Sequence, residues 1–316
     1  MNLIKYFPAE AEGKPDWCPA CGAIRQNQSY DKIPSLFRCP GCGLLSRSPR
    51  EIALIREANI EAFDGMRQGW WEIKYDEWNA LERGKILPPH AVGKALEIGP
   101  GRGGFIAYLQ RNGYKVEGID ISSAICSDLE KRFGVTMVCG TLEEFCKTLK
   151  YDLISAHHVM EHLWELSDFL VKCRSLLSEE GFLLLSCPNA SSWLAEFRAW
   201  PGYEPYHSFF FTPDTLSKVL SRNGFTVERV CLRQPFTGWW NVLIRKLVGE
   251  VRVSPSRKST TKIGERFIRF LFNVVRFVGS VFLLPLSIVT SLLLHGEEIV
   301  ILAVKTRAAD SLNPAR

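Results

Sequence analysis

Cys18-Pro19-Ala20-Cys21-Gly22 returns as Cys39-Pro40-Gly41-Cys42-Gly43, two Cys-x-x-Cys pairs with 17 residues between them. Four thiolates at that spacing suit a tetrahedral zinc, and the glycine after each pair lets the backbone turn so that both sulfurs face one point. Four protein ligands, Cys18, Cys21, Cys39 and Cys42, leave no open coordination position, so the metal is expected to be structural. So short a segment has little core of its own, and metal binding would supply much of its folding free energy.

A second set of residues suits a nucleoside. Leu96-Glu97-Ile98-Gly99-Pro100-Gly101-Arg102-Gly103-Gly104 lies where an apolar strand gives way to a helix. Glycines there permit a tight turn and let a ligand approach backbone N–H groups at the helix start. Gly99, Gly101 and Gly104 also satisfy the dinucleotide pattern, so the loop alone does not choose its ligand. Glu97 tilts the choice: a carboxylate at the strand's end suits a sulfonium with an amino group better than a pyrophosphate. Asp120, ending Val116-Glu117-Gly118-Ile119-Asp120, can accept both hydrogen bonds of a ribose diol under either cofactor.

Histidines form the third set. Chemistry on a hydroxyl needs an aligned acceptor and a route for its proton, and imidazole suits that near neutral pH. The candidates are His158, His162, His157 and His207, with Glu161 as an acid/base partner. Plainer readings stand beside these: capping or packing for Glu161 and His162, and loop anchoring for His207, which lies with Tyr203 and Tyr206.

These residues need elements to position them. From Lys94 onward strand and helix patterns alternate. Strands are expected at about 94–99, 115–120, 135–139, 151–156, 181–187, 226–233 and 298–305. Helices are expected at about 103–112, 122–132, 142–149, 163–177 and 213–223, so that Glu161 and His162 begin the fourth. Such alternation implies an α/β fold, a parallel sheet with helices on both faces. Histidines 157 and 158 would then stand at a strand's C-terminal end, where parallel sheets build their sites. Residues 51–87 look helical, with Trp70, Trp71, Tyr75 and Trp78, up to Pro88-Pro89.

At this point the residues resemble a known family. Glu-x-Gly-x-Gly-x-Gly followed by the strand-end Asp120 is similar to motifs I and II of class I S-adenosylmethionine-dependent methyltransferases. The likeness runs on through Tyr151 to Leu163, Ser186-Cys187-Pro188-Asn189, His207 to Thr212, and Gly224-Phe225. That order of blocks resembles the branch holding ubiquinone-pathway O-methyltransferases and methyltransferases of bacterial surface-glycan clusters, and it covers roughly 94–233 and 297–305. In that branch a Cys-Pro-x-Cys-Gly zinc module often comes first. The resemblance implies a Rossmann-like class I fold: a mostly parallel seven-stranded sheet, last strand antiparallel, with an N-terminal zinc ribbon and a helical insertion. It implies S-adenosyl-L-methionine and a structural zinc ion as cofactors. Glu97, Gly99, Pro100, Gly101 and Gly103 would line the methionine end. Asp120 would hold the ribose, with Ile121 under the adenine and Thr141 and Leu142 flanking it. Ser155 to His158 would pass beneath the sulfonium. Gly140-Thr141-Leu142 lacks the Asp that the family often carries there.

About 60 residues, 237–295, separate the last two strands, too many for a hairpin loop. Lys262, Arg266, Arg269, Asn273, Arg276 and Ser280 recur at steps of 4 and 3, one polar face of a helix. Ile263, Phe267, Phe270, Leu271, Val274, Phe277, Val278 and Val281 form the opposite face. Phe277 to Leu294 is an uncharged run of 18 residues broken by Pro285. A single crossing would leave one flanking strand on the wrong side of a bilayer, so a helical hairpin resting on or dipping into one leaflet is expected. Trp239-Trp240 would serve as an interfacial anchor.

The chain has 316 residues and a net charge of +5, yet Arg245 to Arg276 alone carries nine Lys/Arg against two Glu. The basic character is local and interleaved with apolar residues, which suits an anionic lipid surface and argues against nucleic acid. Met1 to Glu10 carries no apolar run, so no secretory signal is expected. Six scattered cysteines read as buried thiols of a reducing compartment, hence a cytoplasmic protein, peripheral on the cytoplasmic face of the membrane. The expected division is 1–50 zinc ribbon, 51–90 helical linker, 91–236 with 296–307 methyltransferase, 237–295 insertion and 308–316 disordered tail. The expected activity is methylation of a small, lipid-linked or glycan hydroxyl. An RNA methyltransferase gripping nucleic acid through the zinc module and basic patch is the rival, and a non-catalytic cofactor- or partner-binding protein a third reading.

Overall fold

Ile299, Val300, Ile301, Leu302 and Ala303 run together without a polar residue, the pattern of a strand covered on both faces. In the computed structural model all five are buried and divide by parity. Ile299, Ile301 and Ala303 join one core cluster, Val300 and Leu302 the other. Ile154 against Leu153, and Leu183 and Leu185 against Leu184, divide the same way, because successive strand side chains point to opposite faces. The structure describes residues 18, 20–23, 29–30, 33–47, 70–89, 92–146, 149–163, 165–204, 206–248, 274–293 and 295–306. Residues 51–69, the Lys262–Asn273 stretch of the basic face and the tail 308–316 lie outside them.

The strands are β1 (Ser29–Tyr30), β2 (Ile33–Arg38), β3 (Leu45–Ser46), β4 (Lys94–Ile98), β5 (Lys115–Asp120), β6 (Thr136–Cys139), β7 (Tyr151–His157), β8 (Leu177–Pro188), β9 (Phe209–Phe210), β10 (Phe225–Arg233) and β11 (Glu298–Lys305). Seven of them form one sheet in the order β10-β11-β8-β7-β4-β5-β6. β8-β7-β4-β5-β6 are mutually parallel, while β11 runs antiparallel to both neighbours, β8 and β10. This is the expected Rossmann-like class I arrangement. Register has a consequence for the site. Arg233, ending β10, pairs with Glu298, which pairs with Pro188 at the end of β8. The insertion between β10 and β11 therefore springs from the carboxyl edge of the parallel strands, where α/β sheets bind ligands.

Helices cover Gly104–Arg111, Ser123–Phe133, Leu166–Leu176 and Pro213–Arg222, close to expectation. Ser122 caps the second by accepting from the Ile125 N–H at 3.3 Å, and Thr212 and Thr215 form a capping box for the last. Two expectations are corrected. The helix over about 142–149 is, among the described residues, a single turn closed by the Phe145 N–H on the Leu142 carbonyl. Glu161 and His162 do not begin the following helix: Met160–His162 is a separate 3₁₀ turn and the helix starts at Leu166. The Glu161 carbonyl accepts the Ser208 N–H at 2.6 Å, a bond to a distant loop and not to a helical ladder. Of the linker helix, Trp70–Gly84 is described. Of the six scattered cysteines, Cys126, Cys173 and Cys187 are buried, but Cys139, Cys146 and Cys231 are exposed.

The Cys module does not stand apart. β3 pairs antiparallel with β9, Leu45 opposite Phe210 and Ser46 opposite Phe209, so its four-stranded sheet β1-β2-β3-β9 ends on a strand of the main chain. In the insertion, Gly238–Val248 is helical, and Val274–Phe282 and Leu284–Leu292 form a helix pair bent by 55°. Among the described residues no single helix is long and apolar enough to cross a membrane. Trp239 and Trp240 are half-buried. The Trp239 indole N–H donates to Thr290 Oγ1 at 2.9 Å, and the Trp240 ring lies against Gly279; an indole N–H leaving water needs an acceptor, and Thr290 supplies one.

Candidate active site

β4 and β7 are neighbours, and their register sets Glu97 opposite Ser155. The Ser155 hydroxyl donates to the Glu97 carboxylate, both residues being buried. Burial pushes the Glu97 carboxyl up to about 8, against the lowering effect of that hydrogen bond. Immediately after it the chain reverses through Gly99, Gly101 and Gly103, at φ 63°, 53° and 82°, a left-handed run that residues with a Cβ rarely adopt. A side chain at Gly101 would meet nothing within 4 Å, so the turn is open on its outer side. Pro100, buried, closes the turn by accepting the Gly103 N–H at 2.9 Å.

Asp120 ends β5, with one carboxylate oxygen accepting the Ser122 N–H at 2.9 Å. Ile121 beside it is 50% exposed although apolar, and Leu142 is buried nearby in the chain's next turn. Thr141 donates its N–H to Glu144 at 3.1 Å, so a carboxylate does reach this turn, three residues past the position where one was missed. A buried carboxyl bonded to a hydroxyl and not to a cation, an open glycine turn, a strand-end acid and an exposed apolar side chain fit a nucleoside with a cationic end.

The four histidines stand in different environments. His157 faces Ser186 across β7–β8, with Nδ1 3.0 Å from the hydroxyl and the ring edge-on to Phe105. Its Nε2 is buried without a partner, and burial holds its pKa well below the usual histidine value. His158 has φ 55°, a strained value for a residue with a Cβ. Its Nδ1 lies 3.1 Å from Glu161 and its Nε2 3.0 Å from Glu298. Burial opposes its charge, but the two carboxylates override that and raise its pKa to about 9. Glu161, despite burial, is lowered to about 2 chiefly by His158. His162 Nδ1 lies 3.2 Å from the Tyr206 carbonyl, and burial lowers its pKa. His207 directs Nδ1 at the Gly202 carbonyl, 2.8 Å away, and burial lowers it to about 4.

A cavity of about 260 Å³ opens at this edge, lined among others by Tyr75, Asn79, Arg83, His158, Glu204, His207, Thr237, Asn241, Arg276, Glu297 and Glu298. Val159, next to His158, packs where a Gly99 side chain would go, so cavity and glycine turn adjoin. His158 and His207 reach the cavity; His157 and His162 do not line it. Glu161, His162 and His207 each offer a ligand atom within 4.8 Å of the others, a donor set that could hold a cation.

Sequence reading missed the group that organises this wall. Glu298 takes Arg83 Nε at 2.8 Å and Arg233 as well as His158, and Arg233 also reaches Asn79 at 2.9 Å. Burial disfavours the Glu298 charge, but the two guanidiniums and the imidazolium keep it well below the usual carboxylate range. The available signal was Glu297-Glu298 opening an otherwise apolar strand.

In the Cys module the sulfurs of Cys18 and Cys42 lie 3.7 Å apart and those of Cys21 and Cys39 3.4 Å apart. Tetrahedral zinc with sulfurs at about 2.3 Å sets them about 3.8 Å apart, so the quartet fits zinc. Cys18 is drawn down to about 5, chiefly by its hydrogen bond with Cys42.

Residues 77–230 match a family model described as a methyltransferase domain. The mitochondrial ubiquinone biosynthesis O-methyltransferase of Homo sapiens is 27% identical over 249 residues, 65% of this chain and 65% of that protein. The chain thus spans just under two thirds of the human protein's length. The ubiquinone biosynthesis O-methyltransferase of Bradyrhizobium diazoefficiens is 27% identical over 230 residues, 58% of this chain and 87% of that protein. A crystal structure of a SAM-dependent methyltransferase from Archaeoglobus fulgidus overlaps 73% of this chain and 94% of its own, at 20% identity and a TM-score of 0.48.

Proposed function

We propose that the chain, whose residues 77–230 match a methyltransferase-domain model, is a class I S-adenosylmethionine-dependent methyltransferase and that it methylates a hydroxyl of a small, lipid-linked or glycan acceptor at a membrane surface. Bound S-adenosylmethionine supplies a methyl group on a sulfonium that leaves readily. The chain's part is to bind, align and accept a proton. Glu97 receives the cationic amino end at the turn of Gly99, Pro100, Gly101 and Gly103. Asp120 takes the ribose diol, Ile121, Thr141 and Leu142 border the adenine, and Ser155 and His157 support the floor.

The observation that carries the reading is the cavity, because it brings a neutral imidazole to the carboxyl edge beside that turn. With Nδ1–H donated to Gly202, the Nε2 of His207 keeps a lone pair, and burial keeps the ring uncharged at pH 7. As the new C–O bond forms, the acceptor's proton becomes strongly acidic, so a weak base is sufficient. His158 is an imidazolium held by Glu161 and Glu298 and serves as a fixed charge. The named O-methyltransferase relatives support oxygen as the atom methylated.

Cys18, Cys21, Cys39 and Cys42 hold a structural zinc. The insertion rests on the cytoplasmic face of a bilayer: Phe282, Leu292 and Leu293 are 84%, 76% and 53% exposed, while Ser280, Ser287 and Thr290 are buried. Apolar side chains outside and polar ones inside invert the pattern of a water-facing helix.

The test is methyl transfer from labelled S-adenosylmethionine to extracted lipids and glycans, with products checked for a methyl ether. His207→Ala should lower kcat about 100-fold while leaving S-adenosylhomocysteine binding unchanged. Label on nitrogen or carbon, or full turnover by the variant, would overturn the corresponding step.

A further inference from the structure

The cations around the cavity are settled against carboxylates, with one exception, while the Glu297 carboxyl accepts the Trp200 indole N–H at 3.0 Å. Arg83, Arg233 and His158 share Glu298, and Glu204 pairs with Arg245. Arg276 has no carboxylate partner among the described residues. Its Nη2 donates to Thr237 Oγ1 at 3.1 Å, and its guanidinium lies 5.8 Å over the Tyr75 ring. Its Nε–H is buried without a hydrogen-bond partner. A buried donor on an unpaired cation, next to open space, favours an anion that supplies both acceptor and counter-charge.

Position narrows the anion's source. Arg276 belongs to the Val274–Phe282 helix. Its ring and aliphatic neighbours Phe277, Val278, Val281 and Phe282 are 44%, 50%, 45% and 84% exposed, whereas Ser280 is fully buried. The guanidinium therefore stands where the polar cavity meets an apolar outer surface. The cavity itself offers hydroxyl, amide and carboxyl groups from Tyr75, Thr237, Asn241, Glu204 and Glu297. Its 260 Å³ equals roughly nine water volumes, room for a small hydroxylated head group.

We propose that Arg276 binds the phosphate of an amphiphilic acceptor whose hydroxylated head occupies the cavity and whose apolar chain lies over the Phe277–Phe282 face. This rests on the reading of the cavity as the acceptor site of a methyltransferase. It makes the insertion the acceptor-recognition element, with one residue joining its lipid-facing and catalytic sides.

The test is calorimetric titration of the full chain, with S-adenosylhomocysteine present, by three soluble probes: dihexanoylphosphatidylglycerol, glycerol phosphate and octyl glucoside. The phospholipid should bind about tenfold tighter than either of the others, since it alone carries phosphate and chain together. Arg276→Gln should bring its affinity near that of octyl glucoside, and Arg276→Lys should restore most of the loss. Unchanged S-adenosylhomocysteine affinity in both variants shows that the fold is kept. Glycerol phosphate binding as tightly as the phospholipid overturns the amphiphile, and an unaltered Arg276→Gln overturns the residue. Failure of S-adenosylhomocysteine to bind the unmodified protein would strike the methyltransferase reading instead, with the phosphate titrations still deciding Arg276.

Discussion

Two buried carboxyl groups in this site carry opposite shifts, and the partner explains the difference. Glu161 faces the His158 imidazolium and falls to about 2; burial carries Glu97 up to about 8 against the Ser155 hydroxyl and the weaker pull of Arg83. Glu97 thus waits uncharged near neutral pH for a cation to bring it into its charged form. The sign follows. Below pH 8 the free protein holds Glu97 protonated, and a cationic ligand must displace that proton. Affinity for S-adenosylmethionine should weaken about tenfold for each pH unit below 8 and level off above it. Calorimetry in buffers of different ionisation enthalpy should detect about one proton released per ligand bound near pH 7. Glu97→Gln should bind more weakly and flatten the profile; a flat profile in the unmodified protein would separate Glu97 from the cofactor's charge.

At the level of elements, the Cys module buttresses the loop proposed to carry the proton acceptor. Beyond the β3–β9 pairing, Arg47 Nε donates to the His207 carbonyl at 3.0 Å and Nη2 reaches the Tyr203 and Glu204 carbonyls at 3.4 Å. The Arg47 N–H also donates to the Ser208 carbonyl at 3.0 Å. One side chain following β3 thereby ties down the loop that carries His207 and Glu204 to the cavity. Misplacing a proton acceptor by a fraction of an ångström costs rate more than binding. Arg47→Ala should lower kcat about tenfold with zinc content, by metal analysis, unchanged. Cys18→Ser should lose both the metal and the loop's order, so that activity and zinc fall together. Normal kcat in Arg47→Ala would dissociate the module from catalysis.

For the molecule as a whole, the decisive fact is where the insertion is spliced in. β10 and β11 meet at the carboxyl edge of the sheet, so a segment placed between them must stand over the site. Its inner surface supplies Thr237, Asn241 and Arg276 to the cavity, and its outer surface is apolar. An exposed apolar face of this kind marks a contact surface. Phe282→Glu combined with Leu292→Glu should reduce flotation with anionic phospholipid vesicles by about tenfold or more, with S-adenosylhomocysteine binding retained. Undiminished flotation would mean that these helices do not meet the bilayer.

Local pattern in the chain was enough for the seven strands of the main sheet and four of its five expected helices, the Cys quartet, the glycine turn with Glu97 and Asp120, and helices within the insertion. Each depends on residues close in sequence: alternation or continuity of apolar side chains, spacing within a knuckle, a turn that only glycine makes. Tertiary structure alone decided which histidine stays neutral and reaches the cavity. His158 is held by Glu298, 140 residues away, and His207 is held through Arg47, 160 residues away. It also decided that Arg276 and Ser280 turn inward although their spacing marks a polar face. Orientation of a helix is set by what it packs against, and protonation of a buried ring by charges that folding gathers from distant segments; neither leaves a periodic trace in the residues themselves.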